Sequence, residues 1–95
     1  MSPEAVRFQR SASALWREVG DQILLAPPGR EDLDQLSGTA ATVWILLEEP
    51  QTLQELVITL EDLYNTSAEA IMADVERLVF DLVSRGSIRQ VEGLA

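Results

Sequence analysis

The sequence EDLDQLSGTAATVW, residues 31–44, marks the change from predicted β-structure to predicted α-structure. Its first half predicts a strand over residues 31–36 that leads through Gly38 directly into a helix. Because this strand is the last one before the helices, we expect it to keep a free edge. The apolar residues that recur at helical spacing after the turn are Ala40, Val43, Trp44 and Leu47.

Two further strands are predicted before this segment. Residues 11–19 and 22–26 flank Gly20-Asp21, a pair typical of a tight turn, and therefore predict a hairpin. Pro27-Pro28-Gly29 ends the second strand, since proline lacks a backbone donor. With residues 31–36 these strands predict a three-stranded antiparallel sheet.

Three helices are predicted after the sheet. Ser37, favoured over Thr39 as the N-cap, begins the first helix, which continues to about residue 49. Thr52 begins the second, with Glu55 completing a capping box. Ser67 begins the third, which continues to about residue 85 before Gly86, and residues 87–91 predict a short strand or wing.

The domain is therefore expected to belong to the α+β class, with a three-stranded antiparallel sheet followed by a three-helix bundle that resembles a winged helix-turn-helix. Residues 11–91 are expected to form this single domain. Residues 1–10, which contain Pro3 and show no clear period, are expected to form a flexible tail, and residues 92–95 a second one.

The third helix carries more apolar surface than one packed face requires. Four residues at helical spacing form the expected core seam: Ile71, Val75, Leu78 and Leu82. A second apolar set broadens this seam to about half of the helix surface, and its members are Met72, Val79, Phe80 and Val83. This set could bind a ligand, pack under the N-terminal segment or form a dimer interface.

Composition argues against catalysis. The 95 residues include no cysteine and no histidine, which removes thiol nucleophiles, imidazole bases and most metal sites. Strand alternation separates Glu31 from Asp32 and Asp34, so no metal site is expected there. No phosphate-binding glycine loop is present either. We therefore expect a protein that is not an enzyme and has no catalytic residue, metal or cofactor.

The charge distribution argues against a nucleic-acid partner. The formal net charge is -9, and residues 31–81 contain 12 acidic residues and one basic residue, Arg77. Such a surface repels phosphate backbones. No signal peptide or long apolar segment is evident, so no membrane association and a cytoplasmic location are expected. A free strand edge beside an apolar helix face favours peptide binding by strand addition.

Several segments, in this order, resemble the PqqD-like family of RiPP precursor peptide recognition elements. The matching features are Ile23-Leu-Leu, Gly29, residues 36–44, residues 52–57, residues 60–64, Ala73-Asp-Val and residues 82–86. The resemblance implies a non-catalytic domain that binds the leader of a ribosomally made precursor peptide between its third strand and third helix. It places the peptide contacts on Asp32, Leu33, Asp34, Gln35, Leu36, Met72, Glu76, Val79, Phe80 and Val83.

The resemblance also suggests a branch of the family. Trp44, in the setting Thr-Ala-Ala-x-x-Trp, resembles the stand-alone recognition proteins of lasso-peptide biosynthesis. The implied partners are a precursor leader and a separate leader peptidase or other modifying enzyme of the pathway. The alternatives are a PQQ-type peptide chaperone for a radical SAM enzyme, a winged-helix DNA-binding regulator and a structural dimer. A monomer or weak dimer is expected.

Overall fold

The structure, a computed structural model, describes residues 6–91. Its elements follow in the order β1 (Arg7–Arg10), β2 (Leu15–Val19), β3 (Gln22–Ala26), β4 (Asp34–Ser37), α1 (Thr39–Leu46), α2 (Leu53–Tyr64), α3 (Ala68–Ser84) and β5 (Ile88–Val91). The predicted α+β class, the three helices and the three-stranded antiparallel sheet are confirmed. A second, two-stranded sheet joins β1 to β5.

The larger sheet has the strand order β2-β3-β4. Gly20 adopts a φ of 63° in the two-residue turn that joins β2 to β3, a conformation that glycine reaches without a steric penalty. The inner face of the sheet carries Ile23, Leu25 and Leu36, all of which are buried. Two strands of this sheet begin later than predicted: β2 begins at Leu15 and β4 begins at Asp34.

Strand β1 corrects the prediction that residues 1–10 form a flexible tail. Arg7–Arg10 pairs antiparallel with β5, in a register that joins Arg10 to Ile88. On the other side of β1, the backbone N–H and C=O of Phe8 bond to the C=O and N–H of Gln51 at 2.8 and 3.0 Å. The remaining tail residues, 1–5 and 92–95, lie outside the described residues.

The helix ends follow the sequence signals in two cases of three. Thr52 accepts a hydrogen bond from the Glu55 N–H at 3.0 Å, and its own N–H donates to Glu55 Oε1 at 2.9 Å, which confirms the capping box. Ser67 caps α3 through the Ala70 N–H at 3.2 Å. The prediction that Ser37 caps α1 is wrong, because Ser37 ends β4.

Helix α1 begins instead after Gly38, whose φ of 58° and ψ of -131° redirect the chain without a side-chain cap. This helix ends at Leu46 rather than near residue 49. The short helix is stabilised by burial, since Val43 and Trp44 are both fully enclosed in the core. Among residues 6–91, no helix is long and apolar enough to cross a membrane.

The core lies between the inner face of the larger sheet and the three helices. In α3, burial of Ile71, Val75 and Leu82 confirms most of the predicted seam. Leu78 is only partly buried, whereas Val79 is 0% exposed. The buried stripe of α3 is therefore turned toward Val79 and away from Leu78, and this rotation decides which residues remain for the site.

Candidate functional site

Strand β4 is an edge of the larger sheet. Within residues 6–91 it pairs with β3 alone, and the opposite edge is not bonded to any described strand. Backbone N–H and C=O groups at such an edge can bond to an added strand. The expectation of a free third-strand edge therefore holds for the part of the chain that the structure describes.

The hairpin geometry identifies the β4 backbone groups that point outward. Val19 and Gln22 flank a two-residue turn and bond to each other, so the backbone of Gln22 points toward β2. Backbone direction alternates along a strand, and Ile23 therefore bonds to Leu36 in β4. It follows that the N–H and C=O of Gln35 point to the free edge.

An ion pair joins the beginning of β4 to the end of α3. Arg85 Nη1 lies 3.3 Å from Asp34 Oδ1, and Arg85 Nε donates to Asp81 Oδ2 at 3.3 Å. Leu78 lies one turn before Asp81 and two turns before Arg85, so these three residues form one stripe along α3. We call Leu78, Asp81 and Arg85 the β4-side stripe.

Most of the predicted helix contacts lie on another side of α3. Met72, Glu76 and Phe80 line a cleft of about 440 Å³, whose other walls are residues of β1, β5 and the beginning of α2: Val6, Phe8, Thr52, Leu53, Gln54 and Gln90. At about 100° per residue, Phe80 and Arg85 point some 140° apart around the helix. The structure therefore does not bring the strand half and the helix half of the predicted site together.

Phe80 packs against the N-terminal segment, which is one of the alternatives that the sequence left open for it. Its ring lies 6.0 Å from that of Phe8 in β1, at an interplanar angle of 69°, and its side chain remains 49% exposed. Val83 is half-buried and packs against the core. Val79 is completely buried, which corrects its predicted role: it is a core residue and offers no surface to a peptide.

The predicted strand contacts are also distributed over two places. Asp34, Gln35 and Leu36 belong to β4, although the side chain of Leu36 is buried. Asp32 and Leu33 precede the strand. Leu33 lines a separate shallow cleft of about 310 Å³ on the outer face of the sheet, together with Leu15, Trp16, Arg17, Leu24 and Ala26.

The β4-side stripe is the part of the site that sequence reasoning missed. The spacing of Asp81 and Arg85, i and i+4, is a recognisable signal for an ion pair on one helix face. Helical periodicity placed Leu78 in the core, because it cannot distinguish the centre of a buried stripe from its margin. In residues 6–91 no group of three or more acidic side chains is arranged to hold a metal ion.

Comparison with known families assigns the chain to a family. A family model described as Coenzyme PQQ synthesis protein D (PqqD) matches residues 22–88, which is more than half of the 95-residue chain. The chain belongs to the PqqD family. No curated protein and no solved structure gave a significant match. The PqqD match begins at β3 and includes β4, all three helices and the first residue of β5.

Membership in the PqqD family gives the general class of function. PqqD-family proteins are peptide-binding accessory proteins of the biosynthesis of ribosomally synthesised and post-translationally modified peptides (RiPPs). They bind precursor peptides, act with modifying enzymes and are generally non-catalytic. The free edge of β4 lies within the matched residues of this PqqD-family chain.

Proposed function

We propose that this chain binds the leader of a precursor peptide as an additional strand on the free edge of β4, beside the β4-side stripe of α3, and presents it to a separate processing enzyme. The observation that carries the proposal is the outer edge of β4, which is unpaired within residues 6–91 and which the Asp34–Arg85 ion pair connects to α3. An extended peptide satisfies edge groups with its own backbone and uses alternate side chains for selectivity.

The surroundings of β4 suit an added strand. The backbones of β4 and α3 are not closely packed, since β4 packs on β3 and α1 while α3 packs on α2, β5 and α1. Side chains span the separation, as Asp34 and Arg85 do. The partly buried Leu78 provides apolar surface in the same stripe, so a leader strand can place side chains against both apolar and charged groups.

The cleft beside Phe80 suits strand addition less well. Strand β1 is bonded to β5 on one side and to Gln51 on the other, so it offers no free edge to a peptide there. Apolar surface alone gives weaker orientation than a row of backbone hydrogen bonds. We therefore assign the leader to the β4 side of α3.

For the partner enzyme we propose a lasso-type leader peptidase. The support is the likeness of the Thr-Ala-Ala-x-x-Trp setting of Trp44 to stand-alone recognition proteins. Trp44 is buried and packs on Trp16, with ring centroids 6.1 Å apart, so it acts on the core and not on the peptide. The alternative is a radical SAM enzyme, as for PQQ-type members. Leader cleavage by a purified peptidase, stimulated by this chain, distinguishes the two.

The edge is tested by calorimetric titration with a synthetic leader encoded by a short reading frame beside the gene. Gln35→Pro removes an outward N–H, a substitution that edge strands tolerate, and should weaken binding at least tenfold. Gln35→Ala is the matched control, because it retains the N–H and loses only the side-chain contact with Gln22. Equal affinity of the two variants would overturn the proposal.

Dimerisation through β4 would compete with leader binding for the same edge. Two β4 strands from two copies would satisfy the same outward groups and would block the leader. Sedimentation at increasing protein concentration measures this directly. Dimerisation that Gln35→Pro abolishes, without any leader binding by the unmodified chain, would replace the proposed function with a structural one.

A further inference from the structure

The carboxylate of Asp34 is incompletely paired. Its Oδ1 forms an ion pair with Arg85 Nη1 at 3.3 Å, while its Oδ2 is buried and has no hydrogen-bond partner among the described residues. The Asp34 side chain as a whole is 21% exposed, so a ligand can contact its solvent-facing part. A carboxylate can accept several hydrogen bonds, and this one leaves most of its capacity unused.

The charged groups around Asp34 also carry a net negative charge. One guanidinium, that of Arg85, serves the carboxylates of both Asp34 and Asp81, so the three groups together carry one uncompensated negative charge. Both ion pairs measure 3.3 Å, whereas strong charge-assisted N–H···O bonds measure about 2.7 to 2.9 Å. The net negative charge of the cluster therefore favours a cationic ligand group over an anionic one.

A strand added at β4 would increase the burial of this carboxylate. Covering an unpaired carboxylate with an apolar or acidic side chain is unfavourable, whereas covering it with a hydrogen-bond donor restores its pairing. The leader residue beside Asp34 should thus be a donor, and a cation is favoured because of the excess negative charge.

The register of β4 fixes the position of a second leader residue. Asp34 and Leu36 point to the same inner face of the sheet, toward α3. Leader side chains opposite them also share that face and are two residues apart, whichever direction the leader runs. The residue opposite Leu36 lies on the same inner face of the sheet, where Leu36 is buried in the core, and should be apolar.

We propose that this chain selects leaders in which an apolar residue and a lysine or arginine are two positions apart on one strand face, the cation pairing with Asp34 and the apolar residue lying opposite Leu36. The inference rests on the proposed function and adds the substrate class to it. It assigns Asp34 as a specificity-determining residue, which the family match does not do.

The test is selection of a phage-displayed library of random twelve-residue peptides on the full chain, followed by affinity measurement of the enriched peptides. We expect enrichment of lysine or arginine two positions from an aliphatic residue. Replacing that cation by norleucine should weaken binding at least tenfold, and replacing it by glutamate should weaken it further. Asp34→Asn should remove the preference for the cation and retain the preference for the apolar residue.

The outcomes separate the two proposals. Peptides that lose affinity for Gln35→Pro but show no preference for a cation would overturn the Asp34 assignment and leave strand addition in place. Peptides that bind Gln35→Pro as well as the unmodified chain, or no enrichment at all, would overturn both. The peptide substitutions use the unmodified protein, so the test does not depend on the folding of Asp34→Asn.

Discussion

Arg85 Nη1 lies 3.3 Å from Asp34 Oδ1, and this pair links the C-cap residue of α3 to the first residue of β4. The same guanidinium bonds to Asp81 within the helix, which restrains its position. Arg85 therefore lies on the side of α3 that faces the free strand edge. The consequences for stability and binding can be measured separately.

Arg85→Met should lower the free energy of unfolding by about 1 to 2 kcal/mol, because it leaves a partly buried Asp34 without its counter-charge. Adding Asp34→Asn to this variant should recover most of the loss. Arg77→Met is the control: its pair with Asp74 is 79% and 75% exposed, and its loss should change stability little. Urea denaturation of the unmodified protein and the three variants measures these differences, and equal losses for the two arginines would contradict the assignment.

Val79→Ala and Val83→Ala delete the same atoms from two positions of α3 that differ in burial. Val79 is 0% exposed, so its truncation should leave a cavity and cost about 2 kcal/mol. Val83 is only half-buried and should cost less than half as much. Thermal unfolding followed by circular dichroism measures the difference. A larger loss for Val83 would show that the buried stripe of α3 is misplaced.

Phe80→Ala should cost about 1 to 2 kcal/mol of stability, because it removes the edge-to-face contact with Phe8 and part of the β1 packing. Leader affinity should change less than twofold, since Phe80 lies away from the β4 edge. Leu63→Ala, at a similarly exposed apolar position of α2, is the stability control. If Phe80→Ala abolishes leader binding, the leader occupies the cleft beside Phe8 instead.

Thr52→Ala removes the N-cap of α2 and half of the capping box with Glu55, and should destabilise the protein by about 1 kcal/mol. Thr66→Ala, an exposed change in the connection before α3, should remain within about 0.5 kcal/mol of the unmodified protein. Guanidinium denaturation resolves this difference. Identical midpoints would show that the cap contributes nothing measurable.

Local signals in the sequence predicted most elements of this fold. The Gly20-Asp21 turn predicted the β2–β3 hairpin, and Thr52 and Ser67 predicted the beginnings of α2 and α3, because each signal acts between residues at most three positions apart. Ser37 failed as a cap because Gly38 alone can adopt the positive φ at this corner.

The free edge of the third predicted strand was predicted from the sequence, but the helix residues that lie beside it were not. The family resemblance and the charge pattern led to a peptide-binding edge at the third strand, and the family match confirms the family. Met72, Glu76 and Phe80 were placed beside that edge because periodicity shows that a helix has a broad apolar surface. It does not show which neighbour covers each side.

The sequence by itself determined the order of the three strands of the larger sheet and the three helices, the β2–β3 turn, the caps of α2 and α3, and the acidic, cysteine-free and histidine-free composition. Only the tertiary structure decided that β1 pairs with β5, that Val79 is buried, and that Arg85 rather than Phe80 faces β4. The physical reason is distance along the chain. Hydrogen-bonding and helical spacing between near neighbours are encoded locally, whereas the rotation of α3 about its axis depends on the simultaneous packing of β1, α2 and the sheet.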